Sequence, residues 1–115
     1  MLRGEIRIVD LGPALASESG KRRPAVIVSN DGANATAAHL GRGVVTVVPV
    51  TSSVERVFPF QVLLPADECG LERDSKAQAE QVRSVSVERV SARLGSVPPP
   101  LMRRVDDALR LHLAL

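Results

Sequence analysis

The chain has 115 residues, 44% of them hydrophobic, and a formal net charge of +2 with a sequence pI near 9.3. This fits one domain over residues 1–115 and excludes a histone-like polycation. Aromatics make up only 2%, with no Trp or Tyr, so Val, Leu, Ile and Ala must build the core, and with Phe58 and Phe60 the only rings the chain lacks the stacking sheets of RRM- or OB-type RNA binders.

Cys69 is the only cysteine, which excludes a disulfide framework and a thiolate metal cluster and points to a reducing cytoplasm. The opening residues Met1-Leu2-Arg3-Gly4-Glu5 hold no apolar signal core, and no later run reaches membrane-spanning length, so no membrane partner is expected. Ile6-Arg7-Ile8-Val9-Asp10 alternates and predicts a half-buried strand. A loop follows, rich in the turn formers Gly12, Pro13, Ser17, Ser19 and Gly20. Pro24 to Ser29 reads as a continuous apolar strand, central and covered on both faces, with its proline at the tolerated first position.

Asn30-Asp31-Gly32 reads as a turn, and Asn34 to His39 as a short Ala-rich helix ended by Gly41 and Gly43. Val44 to Val50 is the strongest strand, dense in β-branched residues. Thr51-Ser52-Ser53 opens a polar loop, Phe58 to Leu64 alternates into a further strand, and Pro65 to Asp74 connects onward. Short strands are expected near Ser75–Ala79 and Gln81–Val85, a helical turn over Val87–Val90, and a last strand over Leu94–Val97. Pro98-Pro99-Pro100 leads into a final helix over about residues 99–113. Leu101, Val105, Ala108, Leu109 and His112 share its apolar face, and Asp106 and Arg110 form an i,i+4 pair off it. Many short strands with one terminal helix predict a small, partly open barrel or α+β domain rather than a βαβ series.

The basic residues are nearly all Arg, with Lys only at 21 and 76. Arg23 stands before a proline, which holds it in extended backbone at the mouth of a strand. If the two strongest strands pair antiparallel, Arg23 before the first and Thr51 after the second meet at one sheet edge. A planar guanidinium and a hydroxyl converging there suit a phosphate. On pattern alone Arg23 is more often a surface or ion-pair residue than a catalyst, Thr51 is most simply a strand-end turn residue, and Ser17, Glu18 and Ser19 are loop formers. Glu80 and Gln81 read as a solvated strand edge, Phe58 and Phe60 as core or loop anchors, and Cys69 as a bystander thiol. His39 and His112 lack metal-ligand spacing, so no metal or cofactor is expected.

Several motifs in order carry a resemblance. They begin with Arg3-Gly4-Glu5-Ile6 and Val9-Asp10-Leu11, then Ser17-Glu18 with Gly20 and Arg23-Pro24-Ala25-Val26-Ile27-Val28-Ser29-Asn30-Asp31. Pro49-Val50-Thr51-Ser52, Asp74-Ser75, Glu80-Gln81-Val82-Arg83-Ser84 and Leu94-Gly95 follow. Together they resemble the MazF/PemK family of toxin endoribonucleases almost end to end. Ala16 departs from the glycine common there, and Lys21 and Arg22 add charge.

The resemblance implies an SH3-like (CcdB/PemK-like) barrel that acts as a homodimer. It implies a toxin that cuts single-stranded RNA, messenger RNA above all, at short sequences without metal, leaving a 2′,3′-cyclic phosphate and a 5′-hydroxyl. An acidic antitoxin would neutralise it. The catalytic positions carry over to Arg23 and Thr51, and RNA contacts to Ser17, Glu18, Ser19, Lys21, Arg22, Ser52, Glu80 and Gln81. The alternatives are a non-catalytic, CcdB-like gyrase inhibitor, disfavoured because the chain has no Trp, and an inactive RNA- or protein-binding relative.

Overall fold

The computed structural model describes every residue from Met1 to Leu115. Its framework is an antiparallel arrangement of seven strands in the order β4-β5-β3-β2-β1-β7, with β6 also paired to β3. These strands are β1 (Glu5–Asp10), β2 (Arg22–Ile27), β3 (Val44–Thr51), β4 (Gln61–Leu64), β5 (Ser75–Gln78), β6 (Arg83–Ser86) and β7 (Val90–Ser96). The helices are α1 (Asp31–Leu40), α2 (Ala66–Cys69) and α3 (Pro99–Leu113). The expected class, short antiparallel strands with a C-terminal helix, is what forms, although the sheet does not close into a full barrel. No helix is long and apolar enough to cross a membrane.

The strand β3 organises the rest. One edge pairs with β2 through Ala25↔Pro49, Val26↔Val48 and Ile27↔Val47. Its other edge pairs first with β6, from Val44↔Ser86 to Val47↔Arg83, and then with β5 through Val50↔Ala77 and Thr51↔Lys76. Pro49 falls where β3 changes neighbours on that edge, so its missing N–H breaks no ladder bond. Alternation along β3 sends Val48 and Val50 to one side and Val45 and Val47 to the other, and all four are buried. The first side packs with Ile6, Val26, Val62, Leu64 and the α3 residues Leu101, Met102, Val105 and Ala108; the second packs with Val9, Ala25, Ile27, Ala37 and Val85. Each fully buried aliphatic side chain contributes about 1.5–3 kcal/mol.

Some boundaries match the sequence expectations, and the departures have local causes. The second strand spans Arg22–Ile27 rather than Pro24–Ser29, so Arg23 lies inside it, opposite Val9, and not before it, and Thr51 is the last residue of β3 rather than the first of a loop. Asn30 is no turn residue but the N-cap of α1: its side chain accepts from Ala33 N–H at 2.8 Å, and Gly41 closes the helix in the left-handed region at φ 67°. Asn34 is fully buried and exchanges hydrogen bonds with Ser29, which locks α1 to the end of β2. Phe58-Pro59-Phe60 lies outside β4, because Gln61 N–H turns back to the Phe58 carbonyl. The connection after Pro65 winds into α2 and buries Cys69, where burial first and the nearby Glu68 and Asp67 second push the thiol pKa up. Gln81 falls in a 3-10 turn over Ala79–Gln81 rather than in a strand, and β7 begins at Val90 instead of Leu94.

On α3, Met102 joins the buried face while His112 is exposed. Asp106 does not pair with Arg110. It reaches Arg3 at 2.6 Å, and Arg110 turns to Asp107 at 3.1 Å. Arg3 also donates to the Val28 carbonyl, and its backbone N–H reaches Asp31, so one residue near the start of the chain ties α3, β2 and α1 together.

Candidate active site

Continuing the β2–β3 register by one further pair on the Ala25↔Pro49 face sets Arg23 opposite Thr51. Thr51 in turn faces Lys76 on β5, so Arg23, Thr51 and Lys76 form one row across three neighbouring strands. Adjacent strands lie about 4.8 Å apart, which spaces the row for a single phosphate and its flanking groups.

The two proposed catalytic side chains are held and also left available. Arg23 is exposed, and its Nε donates to the Gly20 carbonyl at 2.9 Å. Neither of its Nη groups meets a protein acceptor or a carboxylate, so the outer fork of the guanidinium is open to an anion. Thr51 is half-buried, and its Oγ1 accepts from Ser53 N–H at 3.2 Å, leaving the hydroxyl proton to donate outward. Both line a depression of about 300 Å³ with Lys21, Arg22, Ser52 and Ser75, and no carboxylate lines it.

The remaining sequence-predicted residues separate from this group. Glu18, Ser19, Glu80 and Gln81 line a second depression of about 540 Å³ with Arg83 and Arg89. Gln81 is used internally: its Oε1 accepts from Ser19 N–H at 3.1 Å and its Nε2 donates to the Ser17 carbonyl at 3.0 Å. Ser19 Oγ adds a longer bond to Gln78 at 3.4 Å, and Glu18 accepts from Leu15 N–H at 3.0 Å. Glu80 accepts from Gln61 through one carboxylate oxygen, while its other oxygen is buried without a partner. Arg22 reaches Ser91 Oγ at 3.2 Å, and Lys21 is exposed.

These bonds make the β1–β2 loop a support for Arg23. Gln81 fixes the backbone at Ser17 and Ser19, and the next residue, Gly20, holds Arg23. The loop folds tightly enough that a Cβ on Gly20 would lie 2.6 Å from Ala14 N. Ala16 and Lys21 both occupy the left-handed region, at φ 54° and 63°, a conformation non-glycine residues adopt at a cost.

Sequence reasoning missed Lys76 and Gln61, which anchor the loop after Thr51 from below. Lys76 Nζ donates to the Arg56 carbonyl at 2.6 Å, and Gln61 Oε1 accepts from Phe58 N–H at 3.1 Å. The one available signal was that Lys76 is among only two lysines in an arginine-rich chain.

Residues 2–113 match the family model described as PemK-like, MazF-like toxin of type II toxin-antitoxin system. The chain is 58% identical over 115 residues to Endoribonuclease MazF9 of Mycobacterium tuberculosis, covering 100% of this chain and 98% of that protein. It is 31% identical to Endoribonuclease EndoA of Bacillus subtilis over 98% of this chain and 94% of that one. Among solved structures, MazF of Deinococcus radiodurans superposes with a TM-score of 0.80 at 25% identity, covering 100% of this chain and 97% of that one. A mycobacterial endoribonuclease solved in complex with its cognate antitoxin superposes with a TM-score of 0.79 at 26% identity, covering 100% and 96% of the two chains.

Proposed function

The chain belongs to the PemK-like, MazF-like toxin family of type II toxin–antitoxin systems, and we propose that residues 1–115 act as one toxin domain that cleaves single-stranded RNA at the Arg23–Thr51 pair. It is an endoribonuclease, as its named relatives are. A non-catalytic gyrase inhibitor is not favoured beside those relatives.

The observation that carries the site assignment is the open fork of Arg23, set opposite Thr51 in a depression free of carboxylates. RNA brings its own nucleophile. The 2′-oxygen attacks the adjacent phosphorus, the bond from phosphorus to the 5′-oxygen breaks, and a 2′,3′-cyclic phosphate and a 5′-hydroxyl result. The 2′-proton leaves to solvent and the departing oxygen regains one. What the protein supplies is alignment and stabilisation of charge on the phosphorane oxygens. The Nη groups of Arg23 suit that charge, and Thr51 donates to a non-bridging oxygen. A guanidinium stays protonated at neutral pH, so Arg23 is assigned charge stabilisation rather than the role of base. Lys21, Arg22 and Ser52 sit where neighbouring phosphates would pass, and the chemistry calls for no metal.

Two partners fit the same surface. An acidic antitoxin segment would be drawn to the cationic depression, and a relative is solved with its cognate antitoxin. A second copy of the chain suits a depression of about 480 Å³ beside the site, where Ile8, Pro24, Leu71 and Leu94 leave apolar surface uncovered. That depression shares Pro24, Ser52 and Ser75 with the catalytic one, so a partner copy seated there would extend the RNA groove.

The test is purified protein with a long RNA in excess EDTA, followed by mapping of new 5′ ends. Discrete cuts that vanish in Arg23→Ala and fade in Thr51→Ala are expected. Absence of cuts, or equal cutting by both variants, removes the assignment.

A further inference from the structure

A chain with two aromatic rings places both outside its core. Phe58 and Phe60 belong to neither buried cluster, and Phe58 is 39% exposed. They stack on each other instead, with ring centroids 5.3 Å apart and planes 5° from parallel. The Arg56 guanidinium lies over Phe58, 5.1 Å from the ring centroid. Arg56 donates to no acceptor and pairs with no carboxylate through its side chain. The result is a cluster of two parallel rings with a guanidinium over one of them.

The stack sits on a built support. The loop that carries it leaves β3 directly after Thr51. Lys76, only 8% exposed, donates to the Arg56 carbonyl, and Gln61, only 6% exposed, accepts from Phe58 N–H. Gln61 is fixed in turn by Glu80 at 2.7 Å. No carboxylate lies within ion-pair distance of the Lys76 ammonium. The chain's one buried lysine is thus spent on a carbonyl of this loop, which sets the loop apart from a mere connection.

We propose that Arg56, Phe58 and Phe60 form a stacking platform for an unpaired nucleobase next to the scissile phosphate. The proposal rests on the endoribonuclease assignment above. A base extends the stack from the Arg56 end, lying on the guanidinium plane, while the guanidinium N–H edges meet the adjacent phosphate. Every base has such a face, so the platform adds affinity without fixing sequence. Sequence reasoning set these rings aside as anchors; their exposure and parallel stacking point to RNA.

The experiment separates this proposal from the cleavage assignment by measuring binding. A fluorescein-labelled pool of random-sequence, unstructured 12-mer RNA is titrated into Arg23→Ala protein and into the same protein carrying Phe58→Ala, Phe58→Trp or Arg56→Ala. Phe58→Ala is expected to weaken binding about tenfold and Phe58→Trp to restore it. Arg56→Ala is expected to weaken binding and to lower the slope of log affinity against log salt by about one. Thermal unfolding of each variant guards against misfolding. Equal affinity across folded variants overturns the platform. Phe58-dependent binding by a wild-type protein that cuts nothing would keep the platform and sink the cleavage assignment.

Discussion

The loop from Gly12 to Lys21 and the loop from Ser52 to Phe60 flank the same Arg23–Thr51 pair but are fastened in different ways. The first is tied by the neutral amides of Gln78 and Gln81, at a half-exposed surface, and carries two non-glycine residues in the left-handed region. The second is tied by a buried ammonium and a buried amide, and carries both aromatic rings of the chain. Neutral surface bonds are worth about 0.5–1.5 kcal/mol each and open readily. Opening the lysine bond removes the one hydrogen bond that the Lys76 ammonium makes, and a bond to a charged donor is worth about 1.5–3 kcal/mol. The first loop therefore suits adjustment of the Arg23 guanidinium, and the second suits presentation of a fixed surface.

Experiments can break this contrast in decreasing order of effect. Arg23→Ala, where the first loop ends, is expected to slow single-turnover cleavage by about 10²–10³-fold with an unchanged melting temperature. Gln81→Ala unties the first loop and is expected to lower kcat about tenfold while KM moves little, a split that a loss of RNA contact would reverse. Lys76→Met releases the second loop: KM should rise severalfold at constant kcat, and the melting temperature should hold or rise, because an apolar side chain replaces a buried charge. Equal kcat effects from Gln81→Ala and Lys76→Met would erase the distinction between the loops.

The smallest effect lies away from both loops. Burial raises the Glu5 carboxyl pKa, but the hydrogen bond and charge of Arg7 outweigh it, so the folded pKa lies below the ordinary 4.5. A depressed carboxylate stabilises the fold above its unfolded pKa and loses that contribution as pH falls through the folded value. Unfolding in urea across the acid range should therefore show less loss of stability in Glu5→Gln than in wild type. An identical acid profile would show that Glu5 carries no such linkage.

What the sequence disclosed follows a physical division. The strands β2 and β3 and the helix α3 were legible because hydrophobic periodicity and proline placement are local signals. The Arg23–Thr51 pairing was legible because two strong strands pairing antiparallel leave few registers. Phe58-Pro59-Phe60 was misjudged as strand, since alternating rings look alike whether they face a core or stack on each other. Lys76 and Gln61 were invisible because a buried polar side chain is explained only by the backbone group it meets, here in another segment. Asp106 illustrates the same limit: an i,i+4 partner was close in sequence, yet Arg3, 103 residues away, holds it. Gln81 stands between the cases: the sequence suggested a contact to RNA, whereas its amide bonds to Ser17 and Ser19 could not be read from it.

The pairing of β1 with β7, which joins Glu5 to Ser96, has a kinetic meaning during synthesis. A chain emerging N-terminus first can assemble β2 against β3 early, because only a short helix separates them. The free edge of β1 must wait until β7 has been made, and contacts of such sequence separation form slowly. The strands carrying Arg23 and Thr51 are thus made, and free to pair, before the strand that completes the sheet exists.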